Sequence, residues 1–410
     1  MGIFIKLALR NLFRNKKRTI ISAIAIGFGL TSIILFTALT SGMSDNMIKS
    51  GTKIFSGEGE IIKKGYNKDP KIENTIKNSK VIFENIKKED LVAGATRRTE
   101  AFGMIKSSRD FSTILISGID VENEKNVSQL VHVIRKGKYL DKNDLNSVLV
   151  SERTAKKLSI TLGDKVVITS PQANSKELSE ELFRVKGIFS FGIRDLDKNI
   201  IFINIDKAKT MMKVNNPHKI SFKFKDIQNS RNKELKIWEN YKKDENTVLS
   251  WEEMLPELKA MLDMSEFSLW IMASILFLIV AFGILNTLFM SIYERMFEFG
   301  VLKAIGTSKK QLGFMIVLEA FWLGVFSIAI GGILSVILIF TINYTGGITA
   351  YSGMEYAGAT IKNAIYMNGD IISSLEYSLM LLVFILLISL YPALHAAKIT
   401  PSKAMRERKI

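Results

Sequence analysis

Four stretches of this chain carry no charged residue over a length that matches the hydrocarbon core of a bilayer. Ile20 to Leu39 is apolar or small throughout, and at about 1.5 Å per helical residue it covers the roughly 30 Å that a span requires. Phe267 to Ile292, Phe321 to Ile342 and Tyr377 to Leu394 are of the same kind, the third extending back toward Leu312. A cleaved leader peptide competes for the first run, but its apolar region is normally only about 7–15 residues long. The length therefore favours an uncleaved anchor. Residues 41 to 266 cannot lie in lipid, because charged residues recur through all of them. The expected fold is a membrane protein with four transmembrane α-helices and a large extracytoplasmic mixed α/β domain, with a β-rich insert, between the first and second helices.

The formal net charge of +16 would point to nucleic acid in a soluble chain. Here its distribution points to membrane orientation instead. Lys6, Arg10, Arg14, Lys16, Lys17 and Arg18 precede the first span with no acid among them. Lys398, Lys403, Arg406, Arg408 and Lys409 follow the last, opposed by Glu407 alone. Between the third and fourth spans, Lys362 stands as the sole base against Glu355, Asp370 and Glu376. Since Lys and Arg are retained in cytoplasmic loops, both termini and the 293–311 connector are expected in the cytoplasm, with the large domain and the 343–376 loop outside. The resulting division is 1–18 amphipathic leading helix, 19–41 first span, 42–266 outer (periplasmic) domain, 267–292 second span, 293–311 connector, 312–342 third span, 343–376 external loop, 377–395 fourth span and 396–410 cytoplasmic tail.

Along the chain, Ile3, Phe4, Leu7, Ala8 and Leu12 recur at helical spacing with Lys6, Arg10, Arg14 and Lys17 on another face. That pattern suits an interfacial amphipathic helix, or simply a basic flank that sets topology. Ala23 with Gly27, and Ala25 with Gly29, are small-xxx-small pairs that admit a close neighbouring helix. In the outer domain LGDKVVITS, LFRVKGIFS and KNIIFINI read as strands, and Ser151 to Leu158 and Asp206 to Met212 as short helices. The β-rich middle, near residues 97 to 205, reads as an insert in an outer α/β unit. Between two of these strands lies PQANSKELSEEL, a polar hairpin tip suited either to gripping a soluble partner or to plain solvation. Residues 293–306 form a short charged helical run ending at Gly306, which fits a handle that receives force from a partner.

Catalytic chemistry is not legible. Cysteine is absent and the three histidines, His132, His218 and His395, show no metal-ligand spacing. No GxxxxGK[ST] phosphate loop and no nucleophile elbow occurs. The expectation is a non-catalytic subunit with no cofactor of its own and no metal site. Glu319 is the one ionisable residue well inside a span, and a structural acid that pairs with or caps the connector is the favoured reading over a proton relay.

The run NTLFMSIYERMFEFGVLKAIGTSKKQ from Asn286, then Glu319-Ala320, Gly324 and Gly331-Gly332, resembles the FtsX-like permease module of ABC transporters of the MacB and lipoprotein-releasing type. YPALHAAKITPSKAMR at the end and RNLFRNKKRT at the start are similar to that family's closing and opening segments. The outer-domain text GIDVENEKNVSQLVHVIRKGKYL, VLVSERTAKKLSITLGDKVVI and FRVKGIFSFGIRDLDKNIIFINIDKA looks most like the lipoprotein-releasing (Lol-type) permeases. The resemblance covers essentially the whole chain and implies extraction of lipoproteins from the cell inner membrane, with delivery to a periplasmic carrier. The implied partners are an ABC ATPase dimer holding ATP and Mg, a second permease subunit, the lipoprotein, the carrier and membrane lipid, with no nucleic acid. Glu294, Arg295, Glu298, Gly300, Lys303, Ala304 and Gly306 would then meet the ATPase. Ile24, Phe28 and Leu35, with Leu276, Val280 and Ile284, would line the acyl-chain site, although for any single one of them lipid contact or core packing is the stronger explanation. Pro171, Gln172, Glu177 and Glu181 would form the carrier-binding hook. A MacB-like efflux or peptide-export permease, and an FtsX-like regulator of a cell-wall hydrolase, are the alternatives.

Overall fold

The computed structural model describes residues 7, 9–175, 177–192, 196–243, 245–348, 355–356, 359–360 and 364–400. Ile3, Phe4, Lys6 and Ala8 of the leading helix, Lys362 of the loop, and Lys403, Arg406, Glu407, Arg408 and Lys409 of the tail lie outside the described residues. The principal elements are α1 (Lys16–Gly51), β1 (Gly59–Lys63), α2 (Ser79–Lys88), β2 (Val92–Lys106), β3 (Phe111–Ile119), β4 (Ile134–Gly137) and β5 (Ser147–Ser151). They continue with α3 (Glu152–Leu158), β6 (Lys165–Pro171), β7 (Leu178–Phe189), β8 (Ile200–Asn204), α4 (Ile205–Met212), β9 (Lys219–Phe224) and β10 (Asn246–Ser250). Four further helices follow: α5 (Pro256–Glu294), α6 (Met296–Ala304), α7 (Lys309–Tyr344) and α8 (Ile371–Lys398). The chain divides into two compact units, Met1–Ser44 with Leu262–Thr349 and Ala364–Ile410, and Asp45–Met261 with Ala350–Asn363.

In the first unit, α1, α5, α7 and α8 are each long and apolar enough to cross a membrane. Their buried positions follow the helical repeat: Ala23, Ile26, Leu30 and Ile33 on α1 meet Phe277, Val280, Ile284 and Leu288 on α5, Ala320 and Leu323 on α7, and Leu381 and Ile385 on α8. Lipid tails are as apolar as these side chains, so close packing rather than water exclusion holds such helices together. Helices α1 and α7 approach each other closely at two glycines. A Cβ on Gly331 would stand 2.5 Å from the Gly27 carbonyl oxygen, and Thr31 Oγ1 donates to the Gly331 carbonyl at 3.0 Å. Gly27 of the small-residue pairs thus admits a helix from the same chain.

The second unit is built on one ten-stranded sheet. β2 is 15 residues long and serves both of its parts. Its first half pairs with β9, beyond which lie β1 and β10. Its second half pairs with β3 and β6, and the pairings β3–β8, β8–β5, β5–β7 and β7–β6 close a six-strand ring. The β-rich middle expected as an insert is therefore continuous with the outer strands through β2. Inside the ring lie Ile105, Ile114, Ile116, Val148, Val150, Val166, Ile168, Phe183, Val185, Ile201 and Ile203, closed over by α3 and α4. Where β2 meets β9 a charged cluster is buried: Arg98, with no exposed surface, pairs with Glu124 at 2.7 Å and lies 3.9 Å from the Phe55 ring centroid.

Candidate functional site: the connector between the second and third spans

The helical run leaving α5 breaks at Arg295, whose φ of −112° and ψ of 14° are not helical. Helix α6 then runs only to Ala304. Gly306 takes φ +103°, a conformation open to glycine at little cost, and this ends the connector. Ser308 starts α7 by a capping box: its Oγ accepts from the Gln311 N–H at 3.3 Å and Gln311 Oε1 accepts from the Ser308 N–H at 2.9 Å. The spacing Ser308-x-x-Gln311 was the sequence signal for that boundary.

Arg295 and Lys303 of the connector turn toward the bundle. Arg295 is buried and donates to Glu319 of α7 at 3.0 Å and to Glu298 at 3.2 Å. Glu319, buried as well, also accepts from Ser291 Oγ at 3.1 Å, so the one acid inside a span does pair with the connector. Glu298 takes a second bond from Arg14, which lies just ahead of α1, and Glu294 pairs with Arg18 of α1 at 2.7 Å. Burial opposes the charge on Glu298, but the hydrogen bonds from Arg14 and Arg295 outweigh it and hold the carboxyl below its ordinary range. Lys303 Nζ donates to the carbonyls of Ala397 and Ile399, each at 2.6 Å. These groups lie at the C-terminus of α8, where carbonyls lack helical partners and a cation is favoured.

The outward face of α6 is consequently apolar. Phe297, Val301 and Ile305 are 40%, 39% and 75% exposed, and with exposed Ala304 they share one side of the helix, four residues apart. Phe299 and Gly300 face inward and are buried. Of the residues expected to touch an ATPase, Glu294, Ala304 and Gly306 are exposed, whereas Arg295 and Gly300 are buried and Glu298 and Lys303 are engaged within the bundle. Phe297, Val301 and Ile305, exposed on this face, were not among the expected contacts, although their i, i+4, i+8 spacing was visible.

The acyl-chain candidates separate in the same way. Ile24 and Phe28 are 50% and 61% exposed. Leu35 and Leu276 are half-buried, while Val280 and Ile284 lie inside the bundle core of their own chain. The hairpin formed by β6 and β7 closes with the Gln172 N–H donating to the Glu177 carbonyl at 3.2 Å, so Pro171 and Glu181 belong to its strands. Rather than projecting free, its tip is tied to its own domain: the Ala173 N–H donates to the Met212 carbonyl at 2.9 Å, Glu181 pairs with Lys207 and Glu177 with Lys213. Its outer side carries Leu178 and Leu182, 63% and 51% exposed, on the sheet face that also presents Phe102, Met104 and Phe111.

These features define a multi-pass membrane protein whose spanning helices are interrupted by a β-rich domain and linked by a short helix with an exposed apolar face. The description "FtsX-like permease C-terminal" matches residues 270–401, and "MacB-like periplasmic core domain" matches residues 19–231. The chain belongs to the FtsX-like, MacB-type family of ABC transporter permeases. It is similar to the lipoprotein-releasing system transmembrane protein LolC of Buchnera aphidicola, 24% identical over 99% of this chain and 99% of the relative. Uncharacterized ABC transporter permeases of Methanocaldococcus jannaschii and Bacillus subtilis are 24% and 23% identical, each over 98% of this chain and over 97% and 98% of their own length.

Proposed function

We propose that this chain is the permease subunit of an ABC transporter that extracts lipoproteins from the inner membrane, driven by a separate ATPase. The observation that carries the coupling is the outward face of α6, where Phe297, Val301, Ala304 and Ile305 are exposed while Arg295, Glu298 and Lys303 are engaged by groups of neighbouring helices. An apolar centre is what a desolvated protein contact needs, and the ATPase, holding ATP and Mg, would supply its other half. The excess of Lys and Arg at both ends of the chain supports cytoplasmic termini, with α6 on the ATPase side and the β-rich domain outside.

The likeness to LolC supports lipoprotein cargo. Ile24 and Phe28, both exposed, would meet its acyl chains beside a second permease subunit, since each methylene kept from water is worth about 0.8 kcal/mol. Val280 and Ile284 shape that surface from behind. A periplasmic carrier would meet the apolar side of the hairpin, at Leu178 and Leu182, rather than its carboxylates.

The test is to purify the full-length chain with its ATPase and identify bound proteins by mass spectrometry. A lipid-modified protein is the expected cargo. Recovery of a cell-wall hydrolase, or of small efflux substrates without lipoprotein, would replace this reading with a regulator or an exporter.

A further inference from the structure

We propose that Arg295 and Lys303 are positioning residues that carry movement of α6 into α7 and α8, an inference that rests on the reading of α6 as the ATPase contact. The backbone is interrupted at both ends of this helix. At Arg295 it leaves the helical region, and at Gly306 it turns through φ +103°. A nine-residue helix between two such interruptions is not one rod with its neighbours. Force applied to its outer face therefore has to reach the bundle through side chains.

The two residues make different joints. Arg295 fixes the start of α6 to α7 by a buried ion pair with Glu319, at 3.0 Å, and its guanidinium lies 5.0 Å from the Phe299 ring centroid. Lys303 fixes the far end of α6 to α8 by two hydrogen bonds of 2.6 Å onto its terminal carbonyls. The joints to α1 and its approach, Arg18 with Glu294 and Arg14 with Glu298, are more exposed at side-chain surfaces of 24% with 35% and 54% with 43%. The Arg14–Glu298 pair is water-accessible and holds weakly, whereas the buried Arg295–Glu319 pair has few alternative arrangements. A displacement of α6 is thereby passed to α7 through the buried pair and to α8 through the two hydrogen bonds of half-buried Lys303.

The chain contains no cysteine, so spin labels can be attached through Phe282→Cys on α5 and Leu394→Cys on α8, at sites 70% and 62% exposed. The α5–α8 distance is then measured by pulsed electron resonance in the full-length chain bound to its ATPase, with and without a non-hydrolysable ATP analogue. We expect a nucleotide-dependent distance shift in the labelled protein, cut to about half or less by Lys303→Met and restored by Lys303→Arg. The double substitution Arg295→Met with Glu319→Met, which leaves no unpaired buried charge, is expected to leave α8 responsive. Between α5 and α7, labelled through Phe282→Cys and Ile333→Cys, it should abolish the shift. ATPase binding, measured in parallel, should stay within about twofold throughout. A shift unchanged in both sets of variants, or absent from the labelled parent, would overturn the proposal. Failure of the ATPase reading itself would register separately, as binding that survives Phe297→Glu.

Discussion

Arg295 illustrates how far a single residue's role depends on neighbours distant in sequence. Its charge was legible, but its partner Glu319 is 24 positions away on another helix, and only that pairing turns a surface-like arginine into a buried strut. His218 is a second case. Fully buried, it accepts the Glu100 N–H at Nδ1, 3.0 Å away, so its Nε2 carries the proton and donates to the Ile72 carbonyl at 2.8 Å. Burial pushes its pKa below the ordinary 6.5, ahead of the opposing effects of the Ile72 bond and Glu100. Between 6.5 and that lower folded value, the unfolded chain binds a proton that the folded chain does not. Stability therefore falls as pH drops through this window, by up to about 1.4 kcal/mol per pH unit for one proton. Thermal unfolding of the full-length protein should show this slope, and His218→Gln should flatten it. Glu100 acts in a lower window: burial opposes its charge but Lys219 and Arg98 hold its pKa below 4.5, so its contribution is lost only in stronger acid.

At the level of elements, the spans were readable because an uncharged run of bilayer length has few alternative fates. Strands β6, β7 and β8 were readable from alternation and turn residues. The facing of α6 was not. In a nine-residue helix, charged and apolar residues divide into two sides, but the composition of the helix does not say which side meets the bundle. That was decided by Arg14, Arg18, Glu319 and the end of α8, which bring complementary groups to the charged side. The surroundings of the hairpin tip were not legible for a related reason, because Lys207 and Lys213, 26 and 36 residues beyond their partners, pair with its carboxylates. Helix contacts yield a sharper prediction. Gly331→Ala places a Cβ against the Gly27 backbone and should cost about 1–3 kcal/mol, whereas a Cβ on Gly332 meets nothing within 4 Å. Melting of the two variants in the same detergent should separate them, with Gly332→Ala close to the parent.

The whole molecule joins three things: a bundle packed through glycine, a β-rich domain between its first two spans, and a connector whose Arg295 and Lys303 are tied to the bundle. Family membership followed from motifs spread over nearly the full length, whereas cargo and partners depend on surfaces that composition does not orient. We propose that the ATPase engages the apolar outer face of α6. The direct measurement is the affinity of the purified ATPase for the full-length chain in lipid nanodiscs, comparing the parent with Phe297→Glu combined with Val301→Glu. Both side chains are exposed, so folding should be spared, and binding is predicted to weaken at least about tenfold, or 1.4 kcal/mol. Undiminished affinity in a correctly folded double variant would contradict the claim.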